Sequence, residues 1–443
     1  MTQDPGETGR KVVKFVQELL LDEADRSDIT PALIAEKLDV VLRMTPRWAD
    51  GLDRQAAIDE LIRRNSQWFG RNSTLKCNDG HDDWLNAARK KDWRYWQRYR
   101  EWLERRLSIA AVDALDEATD TVLALLEDPR RDGGWDRRGL VVGHVQSGKT
   151  ANYTGLICKA ADAGYKIIIV LAGLHNNLRS QTQIRLDEGF LGYETKPDPS
   201  DSPAIGVGEI NGDGAIRPNF ATNRTNGGDF KARNLGISPE SRPWLFVVKK
   251  NKTVLDRLYR WIRNHVADSR DADTDRKIVT KLPLLLIDDE ADHASVDTGE
   301  QVFDAEGRPD EDHQPTAING LVRRILHAFA RSAYVGYTAT PFANIFIHER
   351  NATREEGPDL FPSAFIVNLA APSDYIGPAR MFGSNVDDGR SLPLVRNIDD
   401  VTTGSGVGGW MPPNHKNGHL PRFDGRDEIP PSLAEAIDAF LLA

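Results

Sequence analysis

The sequence predicts an α/β protein: a P-loop lobe with a parallel sheet, preceded by an α-helical N-terminal region. Three observations predict it. From Arg138 onward, short runs rich in Val, Ile and Leu (GLVVGHV, YKIIIVLAG, PWLFVV, LPLLLIDDE, AYVGYTAT) alternate with helical stretches, and continuous apolar strands of this kind belong to a sheet covered on both faces. Gly143 to Thr150 read GHVQSGKT, the phosphate-binding pattern G-x-x-x-x-G-K-[ST], between a strand and a helix. Before residue 128 the apolar residues recur at helical spacing instead.

In chain order, Val12, Val13, Phe15, Val16, Leu19 and Leu20 mark a first helix. Thr30 and Pro31 form a cap and first-turn pair for the next, ALIAEKLDVVL. The helices around Ile29 to Leu42 could form a helix-turn-helix DNA reader, but an ordinary helical subdomain is the simpler expectation. Basic and aromatic residues interleave from Arg89 to Arg100. Trp96, Tyr99, Leu103 and Leu107 make a single helical stripe there, so core packing with a solvated basic face is expected. Residues 1–128 are therefore assigned to the helical region and 129–383 to the lobe. Residues 195–243, rich in Pro, Gly, Asp and Asn, read as an insertion, Asp297 to Asp312 as an acidic one, and 384–431 as an irregular connector. Ser432 is expected to cap a last helix, 432–443, with Glu435 at the capping-box position and Leu433, Ile437, Phe440 and Leu441 on one face. It stops without a polar cap, so a further domain is expected to follow.

The 443 residues suffice for about three domains, or one large core with appendages. A charged fraction of 28% and a hydrophobic fraction of 40% suit a globular rather than a disordered chain. Lys and Arg number 57 against 67 Asp and Glu, a net charge of -10, which excludes a general basic coat for nucleic acid and leaves room only for a local groove. The apolar runs Ile167 to Leu171 and Leu282 to Ile287 are too short to span a bilayer, and the opening MTQDPGETGRKVVKF lacks a signal-peptide core. A cytoplasmic protein without a membrane partner is expected. Cys77, His81, Cys158 and His293 lack the spacing of a zinc site.

The chemistry concentrates in three motifs. In the first, Gly143, Gln146, Ser147 and Gly148 offer backbone N–H groups to phosphates at a helix N-terminus. Lys149 reaches the β- and γ-phosphates of ATP, and the Thr150 hydroxyl ligates Mg. In the second, the apolar strand from Leu284 ends in Asp288, Asp289, Glu290, Ala291, Asp292 and His293. A carboxylate at such a strand end holds Mg and a neighbouring glutamate polarises the attacking water, so Asp289 is assigned to the metal and Glu290 to the water, with Asp288 as a rival for the metal. Catalysis is thus assigned to Lys149, Asp289 and Glu290. In the third, Thr338 and Thr340 follow the strand Tyr334 to Tyr337 and are expected to hydrogen-bond Asp292 or His293, coupling nucleotide state to the rest of the lobe.

In this order the three motifs resemble the first RecA-like lobe of superfamily-two helicases and translocases. Across Arg138 to Phe346, the stretches RGLVVGHVQSGKTANYTGLICKAADAGYKIIIVLAG, NNLRSQTQIRLDEGF, LLLIDDEADHAS, TAINGLVRRIL and YVGYTATPFANIF look more particularly like the Z-one domain family, usually labelled an endonuclease. That resemblance implies a helicase-like ATPase acting on DNA in bacterial restriction or antiphage systems, beside nuclease or ATPase partners. It also implies that the stretch after the second strand faces nucleic acid, with Asn177, Arg179, Gln181 and Gln183 contacting phosphates. A capped amphipathic helix with solvated side chains is the alternative for that stretch. Val248 to Asn251 is a weaker candidate of the same kind. Two-lobed motors complete the site with arginines from a second RecA-like lobe, so residues 1–443 alone are expected to bind ATP and hydrolyse it slowly. No nuclease constellation is visible; Pro309 and Asp310 stand in an acidic loop without partners. A nucleotide-dependent scaffold or switch without motor activity, and a small-molecule kinase, are the other readings. The kinase has no need of the Asp292 and Thr338–Thr340 motifs.

Overall fold

The computed structural model describes residues 5–21, 30–50, 52–65, 73–77, 81–143, 148–196, 202–210, 216–231, 242–271, 274–296, 316–345, 347, 352–353, 356–370, 400 and 429–442. The chain divides into two units, Met1–Asp374 and Tyr375–Ala443. The first is built on an eight-stranded sheet. We number its strands β1 (Ser73–Lys76), β2 (Trp135–Val142), β3 (Ile167–Ala172), β4 (Asn219–Phe220), β5 (Trp244–Val248), β6 (Leu284–Asp289), β7 (Arg331–Thr338) and β8 (Phe365–Asn368). Their spatial order is β1-β8-β2-β7-β6-β3-β5-β4. Every neighbouring pair is parallel except β1 with β8, where the edge strand runs antiparallel. The fold is α/β.

Alternation along the apolar strands explains how the sheet is buried twice. In β3, Ile168, Val170 and Ala172 enter one core, and Ile167, Ile169 and Leu171 enter the other. Leu285 and Ile287 of β6 likewise oppose Leu284 and Leu286. A period of two in side-chain direction sends successive residues to opposite faces, so an unbroken apolar run fills both. The first core is closed by α4 (Tyr95–Glu104), α5 (Ile109–Leu125) and α6 (Lys149–Ala163), the second by α8 (Lys252–Trp261) and α9 (Ala317–His327). Helix α7 (Asn176–Leu186) lies between β3 and the segment leading to β4.

The N-terminal helices α1 (Pro5–Leu21), α2 (Pro31–Met44) and α3 (Arg54–Asn65) keep a core of their own, centred on Val12, Val16, Leu38 and Leu61. Thr30 caps α2 by accepting from the Leu33 amide at 3.2 Å, with Pro31 in the first turn. The boundary expected at 128 falls elsewhere. Trp84, Trp93, Trp96, Tyr99 and Leu126 share one core with the sheet, so the helical segment before β2 is a layer of the lobe. Two of its basic residues are committed to carboxylates: Arg100 pairs with Glu104, Asp113 and Asp116, and Lys90 with Asp120. The insertion expected at 195–243 also belongs to the core, supplying β4 and the buried Val207, Ile216 and Phe230. The acidic stretch 297–312 lies outside the described residues, and so does the connector apart from residues 400 and 429–431.

Gly139 of β2 is where close packing demands the smallest residue, since a Cβ there would stand 2.0 Å from the Phe365 ring of β8. Phe365 is buried and cannot swing away. Gly139→Ala is expected to destabilise the lobe by about 1–3 kcal/mol, read as a lowered urea midpoint; an unchanged midpoint would show that the ring yields freely.

In the second unit, α10 (Pro431–Leu442) begins one residue before the expected cap. Pro431 takes the first-turn position, and the Ser432 amide donates to Asp400 at 2.9 Å, while its hydroxyl donates to the same carboxylate. Among the described residues, no helix is long and apolar enough to cross a membrane.

Candidate functional site

Parallel strands bring all their carboxyl ends to one edge, and in this order β7 stands between β2 and β6. Register aligns the ends: Asp289 is level with Ala172 on one side and Tyr337 on the other, and Val142 is level with Thr338. The turns that follow β2, β3, β6 and β7 meet in a cleft of about 730 Å³, lined among others by Lys149, Thr150, Asp289, Glu290, Asp292 and Thr340.

Gly148 adopts φ 75° with nothing within 4 Å of an added Cβ, so backbone conformation rather than space calls for glycine there. Lys149 opens α6, and its ammonium donates to the Gly143 carbonyl at 3.0 Å. The Gly143 amide in turn donates to the Thr338 carbonyl at 2.9 Å, tying the phosphate-loop strand to the threonine turn, so the expectation that this N–H is offered to a phosphate is corrected. Burial lowers the Lys149 pKa, against the opposing pull of Asp289, Glu290 and Asp292. Gln146 and Ser147 lie outside the described residues.

The two carboxylates that end β6 part company. Asp288 is fully buried, pairs with the buried Lys250 ammonium at 2.8 Å and accepts from the Tyr334 hydroxyl at 2.8 Å. Its side chain is committed inside the fold, away from the cleft, and the rival assignment of the metal to Asp288 is set aside on that ground. Asp289, one residue on, faces the cleft and accepts from the Tyr153 hydroxyl at 3.3 Å. Burial pushes its carboxyl pKa up and Glu290 adds to the rise, with Lys250, Tyr153 and Lys149 acting the other way.

Glu290 then leaves the strand in the left-handed region, φ 55°, a conformation a glutamate adopts only when its surroundings hold it. The flanking bonds do so: the Ala291 amide donates to the Tyr337 carbonyl at 3.0 Å, and the Lys250 ammonium donates to the Glu290 and His293 carbonyls at 2.6 and 3.0 Å. Asp292 is clamped from β7. Thr338 donates to one carboxylate oxygen at 2.7 Å, and the Thr340 hydroxyl donates to the other. Desolvation would raise the Asp292 pKa, but these two hydrogen bonds outweigh it and hold the carboxyl below its ordinary value. His293 is exposed, with Nδ1 3.7 Å from Glu290 and Nε2 3.5 Å from Asp292.

Among the described residues, no group of three His, Cys, Asp or Glu side chains could hold a metal ion by itself. Magnesium that arrives on phosphates takes only one or two protein oxygens and keeps several waters. The Thr150 hydroxyl and the Asp289 carboxylate, both lining the cleft, fit that donor set.

Of the four nucleic-acid candidates on α7, Asn177 is exposed, and Gln181 is exposed and lines the cleft. Arg179 and Gln183 are corrected. Both are fully buried, Arg179 donating to the Asn223 and Thr225 carbonyls at 3.0 and 2.7 Å, and Gln183 bonded to Asp187 and Thr222 at 3.0 and 2.7 Å. Burial withholds both from a nucleic-acid phosphate, including the Nε and Nη1 of Arg179 that have no hydrogen-bond partner among the described residues. Lys250 is withdrawn from the candidates for the same reason, while Lys249 donates to Asn176 at 2.9 Å. Sequence reasoning missed Arg185, which lines the cleft and donates to the Thr150 hydroxyl at 2.9 Å. Its spacing of four from Gln181, one helical turn on, was the available signal. No protein-family model matches the chain, and no curated protein matches it.

Proposed function

We propose that the chain is an ATP-binding and ATP-hydrolysing module, that its sheet is a RecA-like P-loop lobe, and that it acts on DNA as a helicase- or translocase-like component. The resemblance to the Z-one family adds the setting, bacterial restriction or antiphage defence with nuclease or ATPase partners. One observation carries the reading: Lys149, Asp289, Glu290 and the Asp292–Thr338–Thr340 clamp come from three separate stretches of chain and line one cleft. A small-molecule kinase needs the first of these and has no use for the clamp.

On this reading the N-terminus of α6 and the Lys149 ammonium bind the β- and γ-phosphates. Bound magnesium neutralises charge on the phosphate oxygens, and Thr150 and Asp289 are the residues that would hold it. Glu290 orients a water and takes its proton as the water oxygen bonds to the γ-phosphorus and ADP leaves. Asp292, with one oxygen engaged by Thr338 at the end of β7 and the other by Thr340 in the turn beyond, couples the acidic turn to the threonine turn.

Lys149→Ala is expected to abolish measurable Mg-ATP binding in calorimetry while the circular dichroism spectrum stays unchanged. Binding equal to wild type would refute the phosphate-loop assignment. The burial of Arg179 and Gln183 removes two of the four residues offered to DNA and favours a second reading, a nucleotide-dependent scaffold or switch. DNA-stimulated hydrolysis separates the two, since only the motor reading requires it.

A further inference from the structure

We propose that Arg185 is a phosphate-contacting residue of this cleft, an arginine supplied in cis for the terminal phosphate of the nucleotide. The inference rests on the ATP-binding reading above and gives a role to a residue that stands in one of the stretches carrying the resemblance but had none assigned to it.

The guanidinium has the right address. Its hydrogen bond goes to Thr150, the second residue of α6, at the helix end where phosphates bind. It also has charge to give. Arg100, Arg138, Arg224 and Arg324 are each paired with carboxylates. Among the described residues, the only hydrogen bond of Arg185 goes instead to a neutral hydroxyl, although Asp289, Glu290 and Asp292 line the same cleft. A guanidinium with no carboxylate partner among the described residues, beside a phosphate site, suits a planar, bidentate contact to phosphate oxygens.

The element that carries Arg185 is anchored from behind. Arg179 and Gln183 anchor the opposite side of α7 through their buried bonds to residues 222, 223, 225 and 187, so Gln181 and Arg185 are presented to the cleft from a fixed base. Thr150 explains why the guanidinium would shift on binding. A hydroxyl oxygen that ligates a divalent cation is a poor acceptor for a second cation, and the phosphate oxygens beside it are better ones. In hydrolysis the water oxygen bonds to the γ-phosphorus, the bond to the β-phosphate oxygen breaks, Glu290 takes the proton, and Arg185 stabilises the charge on the transferring group.

The test compares wild type with Arg185→Ala and Arg185→Lys in the full chain, using calorimetry with Mg-ATP and Mg-ADP and single-turnover hydrolysis. Arg185→Ala is expected to weaken ATP roughly ten- to hundredfold, to leave ADP unchanged, and to slow hydrolysis about a thousandfold. Arg185→Lys is expected to recover part of the ATP preference but less of the rate, because it keeps the charge and loses the fork. Equal weakening of ATP and ADP would mean that Arg185 merely supports Thr150, and this would overturn the inference. Variants that match wild type overturn it as well, with the ATP-binding reading intact. A wild-type chain that binds neither nucleotide overturns both.

Discussion

Glu290→Gln is expected to keep Mg-ATP bound and to slow its hydrolysis by about 10²- to 10⁴-fold. The substitution changes little but the proton chemistry. Glu290 is half exposed, so no buried charge is lost, and its backbone is held at φ 55° by bonds that do not involve its carboxylate. An amide of the same shape can still touch a water but cannot take its proton. Single-turnover measurements with saturating nucleotide read the chemical step directly. An undiminished rate would move the base elsewhere, and His293, whose Nδ1 lies 3.7 Å from Glu290, would be the next residue to replace.

The largest stability effect is expected at Lys250. Its ammonium is fully buried, forms an ion pair with Asp288 and donates to the carbonyls of Glu290 and His293. Lys250→Met leaves the Asp288 carboxylate buried without its counter-charge, which costs about 3–5 kcal/mol. Replacing the ionic group as a whole should recover most of that loss. Asp288→Leu and Tyr334→Phe, added to Lys250→Met, remove the anion and its hydroxyl donor together. Chemical denaturation followed by near-ultraviolet dichroism checks both. A single variant within about 1 kcal/mol of wild type would refute the idea that Asp288 depends on Lys250 for its buried place.

Much of this fold was legible because burial on both faces writes itself as unbroken apolar runs. The five runs from Gly139 to Tyr337 became β2, β3, β5, β6 and β7. The strands that escaped notice are β1, β4 and β8, short pieces at or near the sheet edges whose place depends on distant partners: β1 is exposed throughout and exists because it pairs with β8. Three motifs located the cleft, and the threonine turn met Asp292 as its spacing suggested. What the motifs could not convey was direction. Asp288 and Asp289 are adjacent carboxylates on one strand, and only the pleat decides that the first meets Lys250 and the second the cleft. Arg179 looks solvated in sequence because its partners are carbonyls more than 40 residues away, and Gln183 because the Thr222 hydroxyl that buries it lies 39 residues on; no local pattern announces either.

The anchorage of α7 makes the segment from Thr222 to Thr225 one end of a lever. Arg179 is held at that end, and Arg185 stands six residues further along the helix, about 9 Å at the usual rise. A tilt of about 5° at the anchor therefore sweeps the base of Arg185 through about 0.8 Å. That exceeds the roughly 0.5 Å within which a group acting on a phosphate must be held. A shift of residues 222–225 would thus move Arg185 relative to the hydroxyl of Thr150 with no contact made in the cleft.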